Sequence, residues 1–471
     1  MRMGTSQARW VLLATVLGSG VAFLDGTIVN VALPAIAEDL DADLAGLQWV
    51  LDAYLVTLTA LVLLGGSLGD RFGRRLVFLI GLVGFTVASV LCGLAPNVEV
   101  LIAARALQGI GAALLVPGSL AILSAVFHPD DRARAVGAWS GLGGVATAIG
   151  PFLGGWLIDS VSWRLAFFVN VPLAALVALA TRHVPETRSD TAEHLDLPGA
   201  LTASVGLALA TYGLIESEPA ATVAGVAVLA GFVAIEARSR VPMLPLALFR
   251  DRQFSGANAM TLAVYAALSG AFFLLVVELQ VVLGYSALEA GSALVPVTVL
   301  MLLLSARAGA LAQRIGPRLP MTLGPIGVAA GLLLWTRVDA GSSYVSAVLP
   351  GAIVFGLGLS LTVAPLTATI MASADDAHLG AASGVNNAIA RLAGLLAVAL
   401  LPAVVGLDTA GSAAQLDSGV DDALLVSAGL SVVGGLIAMV TVSRLRKVAP
   451  HTQPSLSHPC GDPCLEQRTA A

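Results

Sequence analysis

Two ionisable residues of opposite charge interrupt long apolar runs of this chain, Asp25 in the first run and Arg105 in the fourth. An ionisable side chain is costly inside an apolar membrane environment, and those that occur there usually have a function. Counting about 1.5 Å per residue along a helix places the two residues at a similar depth, so we expect them to pair. The pair has two interpretations. It is either a static ion pair that locks two helices or a proton carrier, Asp25, controlled by Arg105.

A second set of polar side chains lies in the apolar runs of the carboxyl-terminal half. Arg391 sits near the middle of the thirteenth run, close to Asn386 and Asn387. A buried arginine with amide neighbours indicates either interhelical hydrogen bonds or a polar patch facing a water-filled cavity. Asp52 and Glu278 lie nearer to the outer ends of their runs, and we expect them to reach the surface by snorkelling.

The elements that must position these side chains are membrane-spanning helices. Hydrophobic residues make up 57% of the chain and charged residues 11%, whereas a soluble domain carries about 25% charge. An apolar run of about 20 residues crosses a bilayer. Fourteen runs approach that length, at 10–33, 47–68, 76–95, 99–123, 135–158, 165–181, 198–215, 220–236, 256–280, 291–308, 319–336, 345–371, 380–406 and 423–443. The first is too long for a signal peptide, so it is expected to remain as a span.

The distribution of basic residues predicts the orientation. With the amino terminus in the cytoplasm, 20 of the 24 lysines and arginines fall in cytoplasmic loops and tails. Only Arg164 and Arg337 fall in outer loops, and the two remaining arginines lie inside spans. Cytoplasmic loops carry such an excess of basic residues. Because the number of spans is even, both termini are predicted to be cytoplasmic.

A short charged hinge joins the second and third runs and forces them into an antiparallel hairpin. Its ten residues, 66–75, include the following glycine and charged positions: Gly66, Asp70, Arg71, Gly73, Arg74 and Arg75. A related segment, 309–318, follows 243 residues later with Gln313 in place of the aspartate. The repeat predicts an internally duplicated bundle of six, two and six spans. We interpret the hinge as a latch between helices, weakened in the second copy.

The fifth run carries a glycine–proline pattern, Gly150-Pro151 followed by Gly154-Gly155. Proline kinks a helix, and glycine allows neighbouring backbones to approach closely. The pattern is compatible with ordinary tight packing, but the kink and the smooth face together favour a helix that slides or bends during gating.

The sequence contains no pattern typical of an enzyme site. Its cysteines, Cys92, Cys460 and Cys464, and its scattered histidines have no metal-ligand spacing, and no nucleophile with convergent partners lies in the spans. We therefore predict no cofactor and no metal. The polar tail 448–471 is expected to be disordered.

These motifs resemble those of the major facilitator superfamily, in particular its fourteen-span drug/proton antiporters. The resemblance covers most of the chain and rests on residues 24–34 of the first span, the hinge 66–75, Arg105 to Gly111 in the fourth span, and Gly150 to Gly155 in the fifth. Trp163-Arg164 with Asn170-Val-Pro172, and the segment 279–286, also fit the fourteen-span branch. Two positions depart from the family pattern. One is Gln313, and the other is Arg391-Leu-Ala-Gly394, where the family often has Arg-Gln-x-Gly.

The resemblance implies an all-α polytopic membrane protein with the major facilitator fold. Its expected parts are a six-helix bundle at 1–182, a linker with two additional spans at 183–255 and a second six-helix bundle at 256–447. The protein is expected to act as a monomer in the cell membrane and to bind no nucleic acid. It would export a drug, antibiotic or similar small organic compound by alternating access in exchange for protons.

Within that scheme the resemblance assigns proton coupling to Asp25 and Arg105. Candidates for polar groups of the substrate cavity lie on spans one, nine and thirteen: Asn30, Asn258, Tyr265, Asn386 and Arg391. Because the spans hold few acids, we expect neutral, weakly charged or anionic substrates rather than multivalent cations. An importer or symporter on the same fold is the nearer alternative, and a membrane-embedded enzyme or a lipid-handling scaffold is the more distant one.

Overall fold

The computed structural model describes residues 1–188, 196–239, 242, 244–339, 341–373, 379–406 and 413–443. The tail predicted to be disordered, with Cys460 and Cys464, lies outside these ranges. Regular structure within them is helical. The α-helices are α1 Ser6–Leu40, α2 Leu44–Phe72, α3 Arg74–Gly93, α4 Val98–Val126, α5 Pro129–Ser160, α6 Leu165–Phe168, α7 Asn170–Thr181, α8 Leu197–Ile215, α9 Pro219–Glu236, α10 Arg252–Val281, α11 Ala287–Ala293, α12 Val295–Ile315, α13 Arg318–Trp335, α14 Leu349–Ala372, α15 Leu379–Val404 and α16 Ala413–Thr441. A 3₁₀ turn at Leu246–Arg250 and a π turn at Tyr344–Val348 complete the set.

Each apolar run of the sequence coincides with helical structure. In the described part of the chain, 12 helices are long and apolar enough to cross a membrane. The predicted fifth and sixth spans fall on α5 and on the shorter apolar segment Leu165–Thr181. The helical membrane fold is therefore confirmed, while the count of fourteen spans stays a prediction.

The repeated hinge has the same backbone conformation in both copies. Gly73 ends α2 with φ of +117°, and Gly316, the residue 243 positions later, ends α12 with φ of +88°. Glycine adopts these positive φ values without the steric cost that a side chain would bring. The hinge therefore turns the chain through the same glycine in each half, as the internal duplication predicts.

Along the chain the helices form two groups, α1–α7 and α10–α16, which we call the N-terminal and C-terminal helices. The pair α8 and α9 packs mainly on itself and contacts the rest through α8, which touches α2 and α15. Most of α9 is exposed, as expected for a helix that faces lipid. The division at residues 182 and 255 stays a prediction.

Hydrogen bonds between the N-terminal and C-terminal helices cluster at one end of the molecule, where α5 ends and α11 begins. There Gln280 Nε2 donates to the Val31 carbonyl at 3.2 Å, and Gln48 Nε2 donates to the Val398 carbonyl at 2.6 Å. Asp159 accepts from two backbone N–H groups of α11. These hydrogen bonds attach the two groups to each other at this end, which is the outer one only in the predicted orientation.

Candidate functional site

The Asp25 carboxylate is fully buried in α1 and accepts hydrogen bonds from three side chains. Arg105 Nη1 lies 2.6 Å from Oδ2, and it comes from α4. Gln108 Nε2, also from α4, lies 2.8 Å from Oδ1, and Asn170 Nδ2, from α7, lies 2.9 Å from the same oxygen. Three helices therefore converge on one carboxylate, which we call the Asp25 cluster.

Arg105 is 1% exposed, and its guanidinium is held on several sides. Its Nε donates to the Val50 carbonyl at 2.9 Å, and its Nη1 also donates to Gln108 Oε1 at 2.6 Å. The ring of Tyr54 lies 4.3 Å from its central carbon, a cation–π distance. A buried ion pair tolerates desolvation only with such supporting partners. Removing the charge of either member would therefore disturb the whole cluster.

Local sequence explains why these groups meet. Arg105 and Gln108 are three residues apart, so they share one face of α4. That face approaches α2 closely at Gly109, where a Cβ atom would overlap Thr57 Oγ1 and the Tyr54 carbonyl. The absence of a side chain at Gly109 thus allows α2 and α4 to bring Tyr54 over the Arg105 guanidinium.

The sequence placed Gln108 and Asn170 in family motifs, but it did not predict that their amides complete the Asp25 cluster. Ser89 Oγ, on α3, receives hydrogen bonds from both Gln108 at 2.9 Å and Asn170 at 3.2 Å. Gln108 and Asn170 are both fully buried. The sequence signal for them is an amide residue in an otherwise apolar span. Gln108 lies three residues after Arg105, and Asn170 directly precedes the Val-Pro of α7.

The glycine–proline pattern of α5 joins the helix of Asp25 to the C-terminal helices. Gly150 lies against Thr27 of α1, and Gly154 lies against Ile28, where a Cβ would come within 2.9 Å. Gly155 instead faces α11 and lies against Ala287 and Leu288. Pro151 takes part in the same interface, because its carbonyl lies against Gly291 of α11. One helix thus contacts α1 on one side and α11 on the other.

The hinge holds its own ion pair. Arg74 Nη2 lies 2.7 Å from Asp70 Oδ1, so Asp70 bridges to an arginine rather than capping a helix. The amino terminus of α3 is capped instead by Glu186, whose carboxylate accepts from the backbone N–H groups of Arg75 and Leu76 at 3.1 Å each. Nothing in the sequence indicated this role for Glu186. The proposed latch between helices stays a prediction.

Two other hinge residues, Arg71 and Gly66, contact a neighbouring ring and the helix α4, respectively. Arg71 is exposed and lies over the ring of its neighbour Phe72, 5.5 Å from the centroid. Gly66 approaches Pro117 of α4 at ordinary van der Waals distance.

The predicted cavity residues differ in their contacts: some bond between helices, one bonds within its own helix, and two are half-buried. Asn386 donates to Asn258 Oδ1 at 3.2 Å and to Thr261 Oγ1 at 2.8 Å, so these residues bridge α15 and α10. Asn30 donates to the carbonyl of Gly26 in its own helix. Tyr265 and Arg391 are half-buried, and the guanidinium of Arg391 lies over the Phe23 ring of α1, 5.8 Å from its centroid.

The expectation that Asp52 and Glu278 reach the surface is wrong. Both side chains are 0% exposed. Among the described residues, neither carboxylate oxygen of Asp52 has a hydrogen-bond partner. The physical reason is the packing of α2 at this depth, since Gln48, one turn earlier, bonds to α15 and Val56, one turn later, packs against Leu207 and Leu395. The apolar runs alone do not show which face of α2 is covered.

Comparison with known proteins identifies the family. The profile of the Major Facilitator Superfamily matches residues 15–398. The chain belongs to this superfamily. It is 36% identical to the puromycin resistance protein of Streptomyces alboniger over 90% of this chain and 86% of that protein. It is 34% identical to the cephamycin export protein of Amycolatopsis lactamdurans over 96% of both chains.

Solved structures of the superfamily share the fold. The xylose transporter XylE from E. coli, in an inward open conformation, matches with a TM-score of 0.66 at 15% identity, over 94% of this chain and 98% of that chain. A bacterial homologue of the human lysosomal transporter Spinster matches with a TM-score of 0.65 at 16% identity, over 93% and 97%. The predicted superfamily and fold are confirmed, and the fourteen-span branch stays a prediction. As a member of this superfamily the chain is a multi-pass membrane transporter and not an enzyme.

Proposed function

We propose that this chain exports a small organic compound, such as a drug or antibiotic, across the cytoplasmic membrane in exchange for protons. Relatives named for antibiotic resistance or export, which align over nearly the whole chain, support the direction of transport. The observation that carries the coupling is the Asp25 cluster. It holds an acid that accepts three donors in a desolvated site, on a helix that packs directly on α5.

A proton that binds Asp25 removes the negative charge that Arg105 and two amides hold. Protonation shifts a transporter between states only if its free energy differs between them. The cluster provides that difference, because Arg105 loses its only described carboxylate partner when Asp25 is neutral. Thr27 and Ile28 of α1 lie on α5, and Gly155 of α5 lies on α11, so a shift of α1 acts on the interface that closes the outer end.

The driving force is sufficient for such a step. One elementary charge that crosses a potential of about 100 mV gains about 2.3 kcal/mol. This free energy is comparable to the worth of one charge-assisted hydrogen bond, about 1.5–3 kcal/mol. Uptake of one proton can therefore offset the loss of one such contact in the Asp25 cluster.

The proposal includes the division of the chain into bundles at 1–182 and 256–447, with 183–255 as a linker that carries two spans. The loose attachment of α8 and α9 supports it. The basic residues of the predicted inner loops support cytoplasmic termini. A monomer is the proposed functional unit, and a cavity between the bundles is the proposed path.

A growth-inhibition panel in a transporter-deficient host tests export and coupling together. We compare wild type, Asp25→Asn and a matched control, Asp39→Asn, at equal membrane abundance. Asp39 lies on the same helix, but its side chain is 47% exposed and pairs with Arg164 at the outer end. We expect resistance to at least one compound in wild type and Asp39→Asn, and its loss in Asp25→Asn.

Two results would revise the proposal. Resistance that survives Asp25→Asn would retain export and move the proton site to another acid, with Asp52 and Glu278 as the next candidates. Loss of accumulation of a nutrient, rather than any gain of resistance, would favour the importer or symporter.

A further inference from the structure

Arg391 is a cation in the middle of α15, and among the described residues no carboxylate pairs with it. The ion pairs described elsewhere join Arg74 with Asp70, Arg105 with Asp25, Arg134 with Asp131, and Arg164 with Asp39. A charge at membrane depth is costly unless it faces water, a partner or a ligand. Arg391 is only half-buried, so part of its side chain is not covered by other residues of the protein.

The position of Arg391 is at the seam between the two groups of helices. Gly394, three residues later, lies against Ser269 of α10 and Leu55 of α2, and Gly384, seven residues earlier, lies against Leu63 of α2. All three residues of α15 share one helix face. The Arg391 side chain therefore projects from that face toward the N-terminal helices.

An aromatic ring of the N-terminal helices lies against the guanidinium there. Its central carbon lies 5.8 Å from the centroid of the Phe23 ring, and Phe23 packs edge-on against Trp139 of α5 at 6.2 Å. The Trp139 indole is itself fixed by a hydrogen bond to Ser19 Oγ at 3.1 Å. Arg391 thus faces the Phe23 ring across the seam, and Trp139 packs edge-on against that ring. We call Arg391, Phe23 and Trp139 the seam site.

The nearest acid in sequence to Phe23 does not neutralise this cation. The Asp25 carboxylate, two residues away, already accepts from Arg105, Gln108 and Asn170. Asp25 and Arg105 neutralise each other, so Asp25 does not balance the charge of Arg391. That charge is available to a ligand.

We infer that the seam site recognises substrates that carry an anionic group on a planar conjugated ring, such as an aromatic carboxylate or phenolate. This inference rests on the proposed function, since it assigns the substrate class of the same transporter. Guanidinium binds a carboxylate through two parallel hydrogen bonds, and aromatic rings pack against one another in offset or edge-on arrangements. Export of an anion and uptake of a proton both move charge in the direction that an inside-negative potential favours.

Binding to the purified full-length protein tests the inference without reference to transport. Two fluorescent probes share one planar xanthene core, fluorescein as the anion and rhodamine 6G as the cation, and fluorescence polarisation gives the affinity for each. We expect the wild-type protein to prefer fluorescein. Arg391→Gln should weaken fluorescein binding by about tenfold or more, as expected for loss of a charge-assisted pair, while rhodamine 6G binding holds or improves.

Matched variants separate the site from general effects. Arg337→Gln removes one positive charge from an exposed outer loop and should leave both affinities unchanged. Arg391→Lys keeps the charge without the planar fork and should retain part of the preference. Phe23→Leu should weaken fluorescein binding while leaving Arg391 in place. This variant tests the seam site if Arg391→Gln fails to fold.

Equal affinity for the two probes in the wild type, a preference that survives Arg391→Gln, or no binding of fluorescein would overturn the inference. The proposed function would be unaffected by any of these results, because resistance is measured separately. Conversely, if the protein binds fluorescein through Arg391 but confers no resistance, the proposed export would be contradicted and the inference about the seam site would stand.

Discussion

The carboxylate of Asp159, at the end of α5, accepts a hydrogen bond of 2.9 Å from the backbone N–H of Leu288, at the start of α11. The same carboxylate accepts from the neighbouring Ala287 N–H at 3.1 Å. These bonds attach the glycine–proline helix to the C-terminal helices at the predicted outer surface. If transport alternates access, this attachment must form and break once in every cycle.

Replacing Asp159 with alanine should loosen this attachment, because two N–H groups of α11 lose their acceptor. Hydrogen–deuterium exchange of the segment 286–293 should become about tenfold faster, which corresponds to one lost hydrogen bond to a charged group. Asp339→Ala, which removes an exposed acid from another outer loop, is the control and should leave that exchange unchanged. Unaltered exchange in Asp159→Ala would show that the contact does not hold the outer end closed.

Gly155→Ala should impair transport, since the added Cβ would overlap Ala287 and Leu288 in the closed outer interface. Overpacking of this kind costs about 1–3 kcal/mol, so the closed state should lose roughly fivefold or more in population. The minimal inhibitory concentration of an exported compound should fall accordingly. Gly137→Ala is the matched control on the same helix, because a Cβ there meets nothing within 4 Å. Equal resistance of the two variants would contradict this account of α5.

Gly73→Ala should destabilise the hinge. Alanine at such a positive φ costs about 1–3 kcal/mol, and the added Cβ would lie 2.8 Å from the Glu186 carboxylate. Thermal unfolding of the purified protein, followed by intrinsic fluorescence, should show a lower midpoint. The double variant with Glu186→Ala should lose less than the sum of the single effects, because the two residues are in contact. Strict additivity would mean that Gly73 and Glu186 do not interact.

Asn170→Ala should weaken proton-coupled export while keeping the Asp25–Arg105 pair. It removes one of the three side chains that donate to Asp25 and also a donor to Ser89. A hydrogen bond to a charged group is worth about 1.5–3 kcal/mol, so export should fall by about tenfold or more at equal abundance. Asn387→Ala, which changes an exposed amide on α15, provides the control. If Asn170→Ala exports as well as the wild type, Arg105 and Gln108 are sufficient partners of Asp25 for proton coupling.

The sequence predicted the helices well because span length and apolar composition follow directly from the thickness of a bilayer. It also predicted that Asp25 and Arg105 meet, since depth along two helices is a simple count of residues. It did not predict Asn170 or Ser89 as partners, because their contact depends on how α3 and α7 rotate about their own axes. The same limit explains the error at Asp52, where the packing of α8 and α15 against α2 covers a carboxylate that the sequence placed near the surface.

The hinge also has features that the sequence predicted and one that it did not. Its turn at Gly73 and its second copy at Gly316 were readable from spacing alone. The capping of α3 by Glu186 was not, because Glu186 lies 111 residues from Arg75 and reaches it only after four further helices have packed.

Proton movement in everted membrane vesicles tests the central claim most directly. Respiration acidifies the vesicle interior and quenches an acridine dye, and a compound identified by the resistance panel is then added. Wild-type protein should release protons in exchange for the compound and restore fluorescence, whereas Asp25→Asn at equal abundance should not. Equal recovery in the two, with the compound still transported, would contradict a proton route through Asp25.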